Sequence, residues 1–163
     1  MGEYVSYTAN ISRGYENYLF TVCNKYGSTA ERVIGEYFKE LAQDIGKDSV
    51  IVYPMNEAIA QLEHLFKIAP EEERPVLILT DWYPDDILAL ENSGQKPEKA
   101  VSIIKIPLGR IHDEDRVKHV LFKLMSYIRS NDYGSVTWMN RKMAFDRILQ
   151  NFGIVVSLVE LFK

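Results

Sequence analysis

The segment Arg74-Pro75-Val76-Leu77-Ile78-Leu79-Thr80-Asp81-Trp82-Tyr83-Pro84-Asp85-Asp86 constrains the fold more than any other part of the chain. Five consecutive apolar or β-branched residues, Val76 to Thr80, stand between a proline and a carboxylate. Such a run has no polar face, so it reads as a strand covered on both sides, as in a parallel sheet flanked by helices. Ligands of open α/β sheets bind outside the carboxyl ends of the strands, which makes Asp81 the first place to look for a site.

The rest of the chain alternates between strand and helix patterns. Tyr18 to Cys23 is aromatic and β-branched and leads into the turn Asn24-Lys25-Tyr26-Gly27. Ser28 with Glu31 forms a capping-box pair, and Val33, Ile34, Tyr37, Phe38, Leu41 and Ile45 recur at helical spacing up to Gly46. Ser49 to Tyr53 is a second strand. Asn56 then caps a helix bearing Ile59, Leu62, Phe66 and Ala69, which Pro70 and Glu71 to Glu73 close. After the run 75–80, Pro84 suits a first helical position, with Asp85 and Asp86 where free amides favour anions. Ala100 to Ile106 makes a fourth strand, and Asp113 opens a long helix with a Val117, Val120, Leu121, Leu124, Ile128 stripe. Ser135 to Trp138 reads as a short strand and Met139 to Phe152 as a helix. The apolar tail, residues 153–163, reads as a strand or a helix, its β-branched residues favouring the strand. Residues 1–17 are expected to add an edge strand or to form a mobile arm.

Strands alternating with helices predict one α/β domain over residues 1–163, built as three layers, with a mostly parallel open sheet and helices on both faces. The alternative is a thioredoxin-like arrangement. In it the strands at 75–80 and 100–106 pair antiparallel, and Asp81 to Lys99 is one long connection.

With a single cysteine, Cys23, neither an intramolecular disulfide nor a two-cysteine redox motif can form, which points to a reducing compartment, the cytoplasm. No apolar run approaches the ~20 residues that span a bilayer, so no membrane association is expected. The net charge of −4 hides a division: residues 1–100 carry 9 Lys/Arg against 17 Asp/Glu, and residues 101–147 carry 9 against 5. The basic excess lacks consecutive basic residues or interleaved aromatics, which argues against nucleic acid as the partner.

Each catalytic template lacks a required residue. Asp81, Asp85 and Asp86 lie close enough to bind magnesium together with a substrate phosphate. The order of elements, with an aspartate after the third strand, resembles a response-regulator receiver domain over about residues 18–150. Receivers carry two acidic residues after the first strand, where this chain has Asn24 and Lys25. They carry Ser or Thr after the fourth, where it has Pro107 and Leu108, and a Lys after the fifth, which Lys142 matches poorly. Pro84 also falls three residues beyond Asp81, one fewer than in receivers. A strand ending in aspartate is similar to the second motif of P-loop ATPases, yet Asn24 to Thr29 lacks the glycine spacing and the Gly-Lys-Ser/Thr ending that wraps phosphates. His112, Asp115 and His119 share a helical region but want a third strong metal ligand, so they read as an acidic helix start beside exposed histidines. Cys23, ending a buried strand with no base nearby in sequence, reads as a small apolar filler.

Trp82 and Tyr83 at a strand end serve either packing or recognition of a ligand or partner. The sequence therefore points to a non-catalytic cytoplasmic module acting through protein–protein contacts, with a partner or with a second copy of itself, and without a cofactor. The alternative is a nucleotide- or phosphate-binding protein, with magnesium only in that case. Its site would use Asp81, Trp82, Tyr83, Asp85 and Arg110.

Overall fold

The structure, a computed structural model, describes residues 1–23, 27–70, 72–130 and 137–162. Six strands form one sheet: β1 (Gly2–Val5), β2 (Asn17–Val22), β3 (Ser49–Pro54), β4 (Val76–Thr80), β5 (Val101–Pro107) and β6 (Ser157–Leu161). The helices are α1 (Thr29–Glu36), α2 (Phe38–Asp44), α3 (Asn56–Leu65), α4 (Pro84–Ser93), α5 (Glu114–Ser130) and α6 (Trp138–Leu149). None is long and apolar enough to cross a membrane. Single 3₁₀ turns occupy Thr8–Asn10 and Gln150–Phe152.

The sheet runs in the order β1-β3-β2-β4-β5-β6 and is mixed, which corrects the expectation of a mostly parallel one. Only β1, β3 and β2 are parallel; β4 pairs antiparallel with both β2 and β5, and β5 antiparallel with β6. A strand buried on both faces looks the same in sequence whichever way it runs, so the run 76–80 carries no information about direction. Direction is set by the connections. Tyr18 sits opposite Thr80 and Thr80 opposite Ile103, so β5 starts at the end of the sheet where β4 stops. α4 and the following segment thus return the chain to the end it left, giving the antiparallel pair that the alternative arrangement requires.

Alternating strand residues feed two separate cores. Leu19, Ile51, Leu77, Leu79, Ile104 and Ile106 face a cluster built with α1, α2, α5 and α6. Phe20, Val50, Val52, Val76, Ile78 and Ile103 face the other, built with α3 and α4. All six β2 residues and all five of β4 are buried, Asn17, Thr21 and Thr80 included. Those polar groups are satisfied within the sheet: Thr21 Oγ1 donates to the Val52 carbonyl at 3.0 Å and Thr80 Oγ1 to that of Ser102 at 3.4 Å.

Several local signals act as their chemistry dictates. The Ser28 hydroxyl accepts the Glu31 amide at 3.2 Å, the Asp113 carboxylate that of Arg116 at 3.0 Å, and Thr137 that of Asn140 at 3.2 Å, each closing a helix start. The continuous helix expected from Ser28 to Gly46 is divided. At Tyr37 (φ −107°, ψ 17°) it bends, although the Tyr37 amide still reaches Val33 and the Leu41 amide reaches Tyr37, both at 2.9 Å. Gly35, two residues earlier, is the kink-prone element there. Asn56 is the first residue of α3 and provides no side-chain cap. That helix stops at Leu65 rather than near Pro70, because Lys67 turns left-handed (φ 53°), and its carbonyl is taken by the buried Lys105 ammonium at 2.9 Å. Of the strand read at Ser135–Trp138, Thr137 instead caps α6 and Trp138 begins it, while 135 and 136, like residues 24–26 of the expected turn, lie outside the described residues.

Ile78 is fully buried between β2 and β5, so Ile78→Ala is expected to cost about 2–5 kcal/mol in urea denaturation. Val155→Ala, at a side chain 74% exposed, should stay within about 0.5 kcal/mol of the parent.

Candidate functional site

Because β4 opposes its parallel neighbours, the carboxyl end of β4 lies among the amino ends of β2 and β3. Asp81, Trp82, Tyr83 and Asp85 are therefore gathered at one end of the sheet. Arg110 is not with them: it follows β5, whose Pro107 pairs with Val76 at the start of β4. A five-residue strand spans roughly 15 Å, which separates Arg110 from Asp81.

At the Asp81 end, two of the expected ligand-binding groups, Tyr83 and Asp85, and the neighbouring Asp86 are engaged by the segment between β1 and β2. The Tyr83 hydroxyl donates to the Ile11 carbonyl at 2.7 Å, and the Thr8 hydroxyl donates to Asp85 at 3.2 Å. Arg13 spans Asp86 with two contacts of 3.3 and 3.4 Å, and its guanidinium lies 3.9 Å above the Tyr83 ring. Tyr83 also meets Tyr18 edge-on at 5.9 Å, and Tyr18 meets Tyr15 in the same way. Trp82 packs against the α3/α4 core, its amide bonded to Thr80 Oγ1 at 3.2 Å. Asp81 is half-buried and takes part in none of these contacts. The constellation works as a clasp: acidic groups at the start of α4, placed there by Pro84, hold residues 8–13 across the sheet end.

The carboxyl ends of the parallel strands converge at the opposite end, where Cys23 leaves β2 and Tyr53 is the last residue but one of β3. Tyr53 and Cys23 share a hydrogen bond, with Glu31 and Arg74 close by. Burial, then the Glu31 charge, pushes the thiol up to about 12, the Tyr53 bond and Arg74 opposing this only partly. Burial also raises Tyr53 to about 12. A thiol so placed stays protonated in the neutral range and is a poor nucleophile. The Arg74–Pro75 peptide is cis. Beside it, Gly109 is packed so tightly that a Cβ would come within 2.7 Å of the Arg74 carbonyl, which requires glycine there.

Two hollows open at this end. One, of about 300 Å³, is lined by Glu72, Glu73, Lys105, Arg110 and the chain from Gly153 to Ser157. Its charges are already matched: Arg110 Nε lies 3.0 Å from Glu73, and Lys105 Nζ 3.6 Å from Glu72. The other, wider and more open at about 580 Å³, lies at the start of α1 among Ser28, Thr29, Arg32 and His112, with Arg32 paired to Glu114 at 3.2 Å and Glu36 at 3.5 Å. Among the described residues no three His, Cys, Asp or Glu side chains gather in a metal-binding group.

A third surface was not singled out by the sequence. Between β1, the outermost strand, and α2 runs an open groove of about 550 Å³. Its lining includes Tyr4, whose ring packs at a tilt against Phe38 at 4.6 Å and against Tyr53 at 5.4 Å, together with Lys39 and Lys47. Met1 and Tyr4 are 53% and 60% exposed there. The only local signal was the pair of aromatics, Tyr4 and Phe38, and nothing local ties residue 4 to residue 38.

No protein-family model matches the chain, and neither curated proteins nor solved structures yield a match.

Two outcomes follow. Both Cys23 and Tyr53 ionise less readily folded than unfolded, so their contribution to stability is complete below the unfolded values of about 8.5 and 10 and is lost as pH rises toward 12. Urea midpoints should therefore fall between about pH 9 and 12, and a thiol reagent at pH 8 should label Cys23 only after denaturation. Tyr83→Phe removes the bond to Ile11, so it should lower stability by about 1 kcal/mol and speed amide exchange over residues 8–13.

Proposed function

We propose that this chain is a non-catalytic α/β module that works in the cytoplasm through contacts with other proteins. The observation that carries this reading is the exposed apolar groove along the free edge of β1, since surface of that kind is what partners bury. A second apolar surface supports it: Met139 and Met143, one turn apart on α6, are 54% and 49% exposed, and Val155 protrudes before β6. Apart from Asp81, the acidic groups at the start of α4 are engaged in the clasp, and Arg110 and Lys105 are engaged in ion pairs. A partner protein, or a second copy of the chain, would meet either surface.

The hollow at the start of α1 favours one competing reading, a nucleotide or phosphate on the helix amides beside Arg32 and His112, with magnesium as its companion. A ligand at 100 times its dissociation constant adds about 2.7 kcal/mol to stability, so a melting-temperature rise with a nucleotide and magnesium would favour that reading.

The test of the contact function is photo-crosslinking in the native host, with benzoylphenylalanine placed in turn at positions 4, 143 and 155. The expected result is a discrete protein adduct from at least one position. Absence of adducts from all three would overturn the proposal.

A further inference from the structure

We infer that the β1–α2 groove receives an extended, acidic segment of a partner protein as an added parallel or antiparallel strand. This rests on the protein-contact reading and specifies where, and by what chemistry, contact is made.

The backbone of β1 supplies the template. The Met1 carbonyl accepts the Ile51 amide at 2.9 Å and the Val5 carbonyl the Met55 amide at 2.6 Å, so residues 1, 3 and 5 direct their peptide groups into the sheet. By the alternation of a β ladder, the amide and carbonyl of Gly2 and of Tyr4 point away from β3, along the sheet's free edge. An extended peptide can bond to those groups, and its alternate side chains then face the groove, as in other strand-addition complexes.

The groove is shaped to accept it. Gly2 lies against α2 so closely that a Cβ would fall 2.7 Å from both Ala42 Cβ and Phe38 Cε1. Helix and strand edge are thereby brought together, leaving Tyr4 and Phe38 as an aromatic lining beside a neighbouring strand. Lys39 and Lys47 are both exposed, stand without an ion pair among the described residues, and share a lining that contains no carboxylate. Unmatched ammonium groups beside apolar surface select a segment whose groove-facing side chains, every second residue, include both apolar and acidic ones.

The same charges disfavour a second copy. A two-fold axis through antiparallel β1 edges keeps both α2 helices on one face of the joined sheet, each groove facing the other. The lysines of the two grooves would then lie on the same face, on facing sides of the joint, with no carboxylate in either lining to offset them. A foreign acidic strand replaces that repulsion with attraction.

The experiment uses the full chain with a C-terminal tag, ¹⁵N-labelled, and a fluorescent synthetic octapeptide in which every second residue is serine and the residues between them are glutamate, valine, valine and glutamate, so that one strand face carries both apolar and acidic side chains. A counterpart with lysine in place of glutamate and a version N-methylated at alternate amides serve as comparisons. The glutamate peptide should bind by anisotropy at least about tenfold more tightly than either, a difference of about 1.4 kcal/mol. Amide shifts should concentrate on residues 2–5 and 38–47. The double variant Lys39→Glu/Lys47→Glu, at two exposed positions, should keep the parent melting temperature and reverse the preference toward the lysine peptide. Equal binding of both peptides, no binding, unchanged affinity in the double variant, or shifts confined elsewhere would each overturn the groove assignment. Crosslinking from positions 143 or 155 would, in that event, still sustain the broader contact function, whereas its absence from all three positions removes both.

Discussion

The reversal of direction at β4 is the constraint on which the rest of this structure depends. β4 is central, buried on both faces, and antiparallel to the neighbours on either side. Its backbone must be fully paired because water cannot reach it, and its side chains must divide between two cores. Once its direction is fixed, so is the end of the sheet at which each loop emerges. Asp81 is carried to the amino ends of the parallel strands, and the Cys23–Tyr53 pair to their carboxyl ends, beside Pro75 and Gly109.

That division gives the two ends different physical characters. One end is a clasp, where α4's first-turn carboxylates and Tyr83 hold residues 8–13. The other combines the close backbone approach at Gly109, the ion pairs of Arg74 and Arg110 and a buried thiol with two hollows. At both ends the polar groups largely face one another rather than solvent. Exposed apolar surface lies along the flanks, where β1 has no outer neighbour among the described residues and α6 exposes methionines.

The sequence made the strands and most helix starts legible because those depend on neighbours in the chain. Burial of Val76 to Thr80, the cap at Ser28 and the acidic start at Asp113 are local physics, and each can be read without knowing the fold. Strand direction is a property of pairs distant in sequence, so no pattern within 76–80 reveals it. The bend at Tyr37 was hidden for a related reason: the apolar spacing from Val33 to Ile45 is that of one helix, and both pieces cover the same core. The candidate cluster at Asp81 was located in sequence, but its occupation by Thr8, Ile11 and Arg13 was not, since those contacts link residues more than seventy positions apart. The groove was missed because its two walls lie about forty residues apart along the chain.

The sheet also acts as a partition. Ile78 and Leu79 are adjacent in the chain, yet one belongs to the packing of α3 and α4 and the other to that of α1, α2, α5 and α6. Between the two lies the backbone of the sheet. Leu79 and Ile104, twenty-five residues apart in the chain, pair across β4 and β5 and share one core, so substitutions at the two are expected to couple. For this chain, distance along the sequence is a poor guide to which substitutions compensate one another, and the side of the wall is a good one.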